Sequence, residues 1–120
     1  GFPDRNLIHV LTELAGRSRA NATAVVDAVL QRLAQVPAGY RVPLLYLIDS
    51  ILKHAGAPFA SVFESRGLAA AFSRALESSS GRDRERLDYL LHMWESARLV
   101  SHETLRRIRR GPGGAGGGGP

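Results

Sequence analysis

The chain has 120 residues, enough for one domain with a hydrophobic core and too few for two domains of ordinary size. It contains no cysteine, which excludes a disulfide framework, a thiol nucleophile and cysteine-ligated zinc, and favours a reducing compartment. Four arginines near the end, Arg106, Arg107, Arg109 and Arg110, supply most of the formal net charge of +5. The rest is nearly neutral, which disfavours a domain-wide nucleic-acid-binding face and leaves a weak RNA contact through these four arginines as a prediction.

Apolar residues recur at helical spacing from the start of the chain. Asp4 is a candidate N-cap and Gly16 a stop for a first helix, whose predicted buried face holds Leu7, Ile8, Leu11 and Leu14. A second helix starts from Asn21 and is expected to bury Ala22, Val25, Val26, Val29, Leu30 and Leu33. No apolar run approaches the roughly 18 residues that a membrane span requires.

The middle of the chain is divided into helices by proline and glycine. Pro43 falls in the first turn of a third helix, where its missing N–H is harmless, and Gly56 ends that helix. Pro58 begins a short helix, "PFASVFES", and "GLAAAFSRALES" follows almost at once. No strand pattern with a period of two is found, so an all-α stack or superhelix of six or seven helices is predicted.

Two capped helices complete the predicted fold. Ser80 and Asp83 form a capping pattern before a helix expected to bury Leu87, Leu90, Leu91 and Trp94. Ser101 is expected to cap a last helix that ends in the arginine cluster. The glycine-rich residues 111–120 predict a flexible tail, and they lack the Gly-Lys-Ser/Thr ending of a phosphate-binding loop.

Residues for catalysis or metal binding are not arranged in any recognisable pattern. The four histidines, His9, His54, His92 and His102, lack the spacing of paired helical ligands, and His92 with Glu95 is best interpreted as a solvated helix face. No serine has a nucleophile-elbow context. The sequence therefore predicts no enzyme activity, no metal and no cofactor.

The third helix carries one polar stripe on an otherwise apolar surface. Tyr46, Asp49, Ser50 and Lys53 follow one another at spacings of three and four. Asp49 is notable because an unpaired buried charge costs several kcal/mol or more. Two interpretations stay open. Either Asp49 pairs with Lys53 or a neighbouring helix end, or the stripe opens into a groove where Asp49 accepts a hydrogen bond from a ligand.

The segment "LLYLIDSILKHAGAPFASVF" resembles the signature of the CID, the domain that binds the C-terminal domain of RNA polymerase II. The similarity is greatest to the versions in mRNA 3′-end cleavage and termination factors. The flanks "LIHVLTELAGRSRANATAVVDAVLQRL" and "RERLDYLLHMW" resemble other helices of the family. The resemblance covers residues 4–110, the predicted domain.

The resemblance implies a right-handed superhelix related to VHS and ENTH domains. The family fold has eight helices and this chain resembles it from the second onward, so about seven helices, without the family's first, are expected. Leu7, Ile8 and Leu11 would then leave some apolar surface uncovered.

The resemblance also implies a nuclear module that binds the phosphorylated heptads of the polymerase tail, tyrosine-serine-proline-threonine-serine-proline-serine. The peptide would lie in a groove between the family's second, fourth and seventh helices. Asp49 matches the family's acceptor aspartate, and Tyr46, Ser50 and Lys53 match the same motif. The residues that would line the groove from the second helix are Arg5, Asn6 and His9.

Two positions depart from the family pattern. His54 stands where asparagine is usual, and Tyr89 stands where some relatives carry a phosphate-binding arginine. Arg82 and Arg86 share the exposed stripe of Tyr89 and are the alternative phosphate contacts. Two other functions remain as alternatives: a VHS- or ENTH-like trafficking adaptor that binds ubiquitin, sorting peptides or phosphoinositide, and an RNA-binding helical module.

Overall fold

The computed structural model of the chain describes residues 5–111. Seven α-helices and no strand occur within them, which confirms the all-α prediction. In chain order the helices are α1 (Arg5–Arg17), α2 (Ala22–Gln35), α3 (Arg41–His54), α4 (Phe59–Ser65), α5 (Leu68–Ser78), α6 (Gly81–Ser96) and α7 (His102–Arg110). Short 3₁₀ turns, Arg19–Asn21 and Ala38–Tyr40, precede α2 and α3. The predicted N-cap Asp4 and the predicted tail beyond Gly111 lie outside the described residues.

The helix boundaries follow the local signals of the sequence. Pro43 lies in the first turn of α3, and Gly56 follows the end of α3 with a left-handed φ of 81°. Ser101 caps α7, because its hydroxyl accepts a hydrogen bond from the Thr104 amide at 3.1 Å. Ser80 is the N-cap residue of α6, as predicted, but its side chain makes no capping hydrogen bond. Gly81, the first residue of α6, has a φ of 56°, and we attribute the absence of this bond to this non-helical start.

The centre of the domain is α3, which packs against α1, α2, α4, α5 and α6. It buries Leu45, Leu47, Ile48 and Ile51, which together cover most of its circumference. A helix that is apolar on so many sides is stable only when other helices surround it. The remaining side of α3 is the polar stripe predicted from the sequence.

Trp94 forms the second part of the core, on α6. Its ring is fully buried and meets Phe72 of α5 edge to face, with 5.1 Å between the ring centres. Leu87, Leu90 and Leu91 are buried on the same helix, as predicted. These side chains fasten α6 against α3 and α5.

The buried face of α1 differs from the predicted one. Thr12 and Ala15 are buried, whereas Leu7, Leu11 and Leu14 are 54%, 37% and 50% exposed. The apolar pattern therefore identified the helix but placed its contact face about a quarter-turn too far round. Uncovered apolar surface at Leu7 and Leu11 agrees with the expectation for this helix, while Ile8 is half-buried against the core.

Glu64 connects α4 to the start of α7. Its Oε2 accepts a hydrogen bond from the Ser101 amide at 2.7 Å. Burial acts to raise the pKa of Glu64, but hydrogen bonds from Thr104 and Ser101 outweigh it and hold the pKa below the ordinary value of 4.5. The folded state therefore favours the ionised carboxylate.

We expect Glu64→Gln to lower the free energy of unfolding by about 1 kcal/mol at pH 7, because a charge-assisted bond becomes a neutral one. A carboxylate with a lowered folded pKa contributes its full stability above the unfolded pKa, near 4.5, and loses it as the pH falls through the folded value. Urea unfolding should therefore separate the variant from the parent at pH 7, and the separation should shrink as the pH falls below 4.5.

Glu77→Gln is the matched control, because Glu77 is an exposed glutamate on α5 that makes no ion pair within residues 5–111. It should leave the unfolding curve nearly unchanged at both pH values. An equal destabilisation by Glu64→Gln at neutral and acid pH would contradict a role for the ionised carboxylate.

Candidate functional site

The polar stripe of α3 lies between α1 and α6. Thr12 of α1 contacts Ser50, and Trp94 of α6 contacts Asp49, so each neighbouring helix is joined to the stripe by a hydrogen bond. Tyr46, Asp49 and Ser50 are half-buried and Lys53 is exposed. The stripe is thus flanked by α1 and α6, and its four residues share one face of α3, as the helical spacing predicts.

Asp49 is held by two partners. Its Oδ1 accepts a hydrogen bond from the Trp94 indole N–H at 2.8 Å, and its Oδ2 lies 2.9 Å from the Lys53 ammonium. The predicted pairing with Lys53 is therefore present, and the Asp49 side chain retains 15% of its exposure. These two contacts account for the cost of placing a carboxylate at the edge of the core.

A structural role for Asp49 does not use up its capacity to accept hydrogen bonds. An ionised carboxylate offers about four lone-pair sites, and Trp94 and Lys53 occupy two of them. The contacts fix the carboxylate in one orientation while its outer edge reaches solvent. The two interpretations left open by the sequence are thus compatible.

Sequence reasoning missed the second role of Trp94, which was interpreted as core alone. A fully buried indole carries an N–H that requires an acceptor. This requirement is the signal in the sequence from which a polar neighbour of Trp94 could have been predicted. The sequence did not indicate which acceptor, because Asp49 and Trp94 are 45 residues apart.

Thr12 is the other residue that the apolar pattern concealed. Its Oγ1 lies 2.7 Å from Ser50 Oγ and 2.7 Å from the Ile8 carbonyl oxygen. A hydroxyl has one proton, so Thr12 donates to one of these oxygens, and the Ser50 hydroxyl can supply the proton for their shared bond if Thr12 donates to Ile8. This contact fixes the α1 side of the stripe.

The candidate residues of α1 are all exposed. At 100° per residue, Arg5 and His9 flank the Ile8–Thr12 contact on the side opposite to Leu11, and Asn6 lies further round the helix. His9 Nε2 is 2.6 Å from Glu13 Oε1. His54, the last residue of α3, is also exposed.

The candidate phosphate contacts lie on one stripe of α6, at helical spacings of four and three. Arg82 is exposed and forms no ion pair within the described part of the chain. Arg86 is half-buried, with Nη1 3.4 Å from Asp83 Oδ1. Tyr89 is 66% exposed. Arg82 is thus the cation on this stripe whose charge is least compensated.

Ion pairs within the domain engage most of the arginine cluster at the end of α7. Arg106 and Arg107 both pair with Glu103, and Arg109 Nη2 lies 2.7 Å from Glu95 Oε1. Arg109 holds the pKa of Glu95 below its ordinary value through a hydrogen bond and its charge. A basic cluster that is compensated in this way attracts an RNA backbone weakly, which opposes the predicted RNA contact.

Residues 5–111 contain neither a metal-binding cluster nor a membrane-spanning helix. No group of three or more histidine, aspartate or glutamate side chains is arranged to hold a metal ion there. None of the helices in this range has the length and apolar character to cross a membrane.

Comparisons with known proteins agree with this architecture. An uncharacterized protein of Schizosaccharomyces pombe is 34% identical over 94 residues, which are 78% of this chain and 15% of that protein. The chain thus spans a small fraction of this curated relative. The crystal structure of the RPR of Pcf11 superposes with a TM-score of 0.84 at 25% identity, covering 91% of this chain and 86% of the other. The family model of the CID domain matches residues 4–108, so the chain belongs to the CID domain family.

Proposed function

We propose that residues 4–110 form a binding module for the phosphorylated heptad-repeat tail of RNA polymerase II, and that residues 111–120 are a flexible tail. Membership of the CID family and the similarity to the Pcf11 domain support this proposal. The observation that carries it is Asp49, a half-buried carboxylate oriented by Trp94 and Lys53, and the surface of the polar stripe between α1 and α6 is the proposed binding groove. By the same analogy, the parent protein acts in mRNA 3′-end cleavage and transcription termination in the nucleus.

The groove suits a short peptide that is disordered before it binds. Asp49 accepts a hydrogen bond from a peptide N–H or hydroxyl, and Tyr46 and Ser50 add polar contacts beside it. Lys53 keeps the stripe from being net negative. Arg5, Asn6 and His9 act from α1, and His54 closes the end of α3. Such a groove recognises a ligand by binding alone, which is the behaviour of an interaction module rather than of an enzyme.

Arg82 is the proposed main contact for a phosphate, with Arg86 and Tyr89 beside it. Arg82 lies twelve residues before Trp94 on α6, which corresponds to about 18 Å along the helix axis. An extended peptide covers that distance with about five or six residues, less than one heptad. A single phosphorylated repeat can therefore reach Arg82 while another of its residues contacts Asp49.

The alternative functions have weaker support in the described residues. A phosphoinositide site requires clustered uncompensated cations. On α1, however, Glu13 lies 3.9 Å from Arg17 and also contacts His9. RNA binding through α7 is disfavoured because Arg106, Arg107 and Arg109 already form ion pairs with glutamates of the domain.

One titration series tests the proposed function against these alternatives. A two-heptad peptide phosphorylated at the second-position serines should shift the amide resonances of Asp49, Ser50 and Lys53. The dissociation constant should be weaker than about 1 μM, because a small groove must order a disordered peptide. Ubiquitin, phosphoinositide vesicles and a single-stranded RNA are titrated in parallel. If the amide resonances of Asp49, Ser50 and Lys53 did not shift at millimolar phosphopeptide, the proposed function would be excluded. Saturable binding of another ligand at these residues would assign the site to that ligand instead.

Asp49→Asn should weaken binding of the phosphopeptide by about 1–2 kcal/mol, because a charge-assisted acceptor becomes neutral. This corresponds to a roughly five- to thirty-fold higher dissociation constant. The amide oxygen can still accept from Trp94, and the exposed Lys53 ammonium can return to water. Stability should therefore fall by less than about 1 kcal/mol. Affinity by calorimetry and stability by urea unfolding are measured on the same preparation.

Asp88→Asn is the matched control for Asp49→Asn. Asp88 is a more exposed carboxylate on α6 whose partner is Arg84, at 3.4 Å. Its neutralisation should leave peptide affinity unchanged and stability nearly unchanged. If Asp49→Asn proved clearly destabilising while the peptide bound as tightly as before, Asp49 would be a structural residue alone.

A further inference from the structure

A concave surface lies between α2 and α5, and none of its lining residues belongs to the polar stripe of α3. This cleft has a volume of about 330 Å³ and is lined chiefly by aliphatic side chains of the two helices, including Leu30, Ala34, Ala70 and Ala71. Its size falls at the lower end of the range for ligand pockets. The described lining contains no aromatic side chain and no carboxylate.

The cleft is strongly basic because three arginines line it. Arg66 is neutralised by Asp27, which it contacts through two nitrogens, with Nε 2.8 Å from Oδ1. Arg41 and Arg74 have no carboxylate partner within residues 5–111. Two uncompensated guanidinium groups therefore lie beside an aliphatic surface.

Arg41 carries an unsatisfied donor. Its Nη1 donates to Ser78 Oγ at 2.7 Å, but its Nε–H is shielded from solvent and has no acceptor among the described residues. Buried N–H groups are nearly always paired, because leaving one unpaired forfeits its hydration without a replacement. An external anion reaches this Nε–H only if the Arg41 side chain shifts, so the observation that favours an anionic ligand is the uncompensated charge of Arg41 and Arg74 beside the aliphatic surface.

The lining selects among anions. Guanidinium groups bind carboxylates and phosphates in similar geometry. Single-stranded nucleic acid additionally requires aromatic surfaces on which its bases stack, and the cleft provides none. An aliphatic floor beside two free cations instead complements a peptide that combines acidic residues with one aliphatic side chain.

We propose that the cleft between α2 and α5 is a second binding site, which takes a short acidic peptide segment of a partner protein. Carboxylates of the peptide pair with Arg41 and Arg74, and one aliphatic side chain rests on the alanine and leucine floor. The cleft includes the first residue of α3, Arg41, whereas the polar stripe begins at Tyr46 of that helix and contacts α1 and α6, and no residue belongs to both sites. The two sites can therefore be filled together, and the domain can join the polymerase tail to a second protein.

The probe for this site is a nine-residue capped peptide of glutamates with a central leucine. Titrated into the 120-residue chain, it should shift the amide resonances of Ala70, Ala71 and Arg74 and leave those of Asp49 and Ser50 in place. Replacing the leucine of the probe with serine, or its glutamates with glutamines, should each weaken binding. The phosphorylated heptad peptide should bind equally well with and without the probe.

Arg74→Gln should raise the dissociation constant of the probe peptide by about five-fold, because one charge-assisted contact is lost at a partly solvated site. Arg32→Gln is the matched control, since it removes one exposed arginine from α2 at a position outside the cleft lining. Ala71→Leu retains all charges and fills the floor, so it should also weaken the probe. Arg41→Gln should weaken binding of the probe to a similar degree. If this variant fails to fold, the Arg74→Gln variant still tests the site, because Arg74 is exposed.

Several results would overturn the proposal. Equal weakening by Arg32→Gln and Arg74→Gln would show attraction by net charge alone. Shifts centred on Asp49, or no shifts at millimolar probe, would remove the site. Tighter binding by a single-stranded RNA or inorganic phosphate, lost in Arg74→Gln, would assign the cleft to phosphate ligands instead of an acidic peptide.

Discussion

The hydrogen bond from the Trp94 indole to Asp49 joins the core of the domain to its candidate binding groove. Trp94 is buried against Phe72, so its N–H has no access to water and depends on the carboxylate. Asp49, in turn, is tolerable at the edge of the core because the indole and Lys53 compensate it. Each residue explains the placement of the other, and together they set how α6 lies on α3.

Most charged side chains elsewhere in the domain form ion pairs or hydrogen bonds within a helix or between helices. Glu64 joins α4 to the start of α7, Arg109 joins α7 to Glu95 of α6, and Arg66 joins Asp27 of α2 to the start of α5. This distribution explains why a chain with a formal net charge of +5 has little uncompensated basic surface on α7. The cations that remain without carboxylate partners, such as Arg82 and Arg74, therefore stand out as candidates for ligand contacts.

Much of the fold was predictable from the sequence because helical periodicity and helix-ending residues act locally. The spacing of Leu87, Leu90, Leu91 and Trp94 predicted the buried face of α6, and Ser101 predicted the start of α7. The polar stripe of α3 was predictable for the same reason. The α1 face was not, because Thr12 is buried through its bond to Ser50, 38 residues away, and hydropathy carries no information about such a partner. The indole–carboxylate bond and the cleft between α2 and α5 likewise depend on tertiary contacts.

The doubly held carboxylate also bears on the kinetics of recognition. Asp49 occupies one rotamer before a ligand arrives, so complex formation sacrifices little side-chain entropy on the side of the domain. The ordering cost then falls mainly on the incoming segment. Encounter rates should consequently be similar among related segments, while differences among them appear in how long each stays bound. A carboxylate that is oriented in advance therefore discriminates among ligands mainly through their residence times.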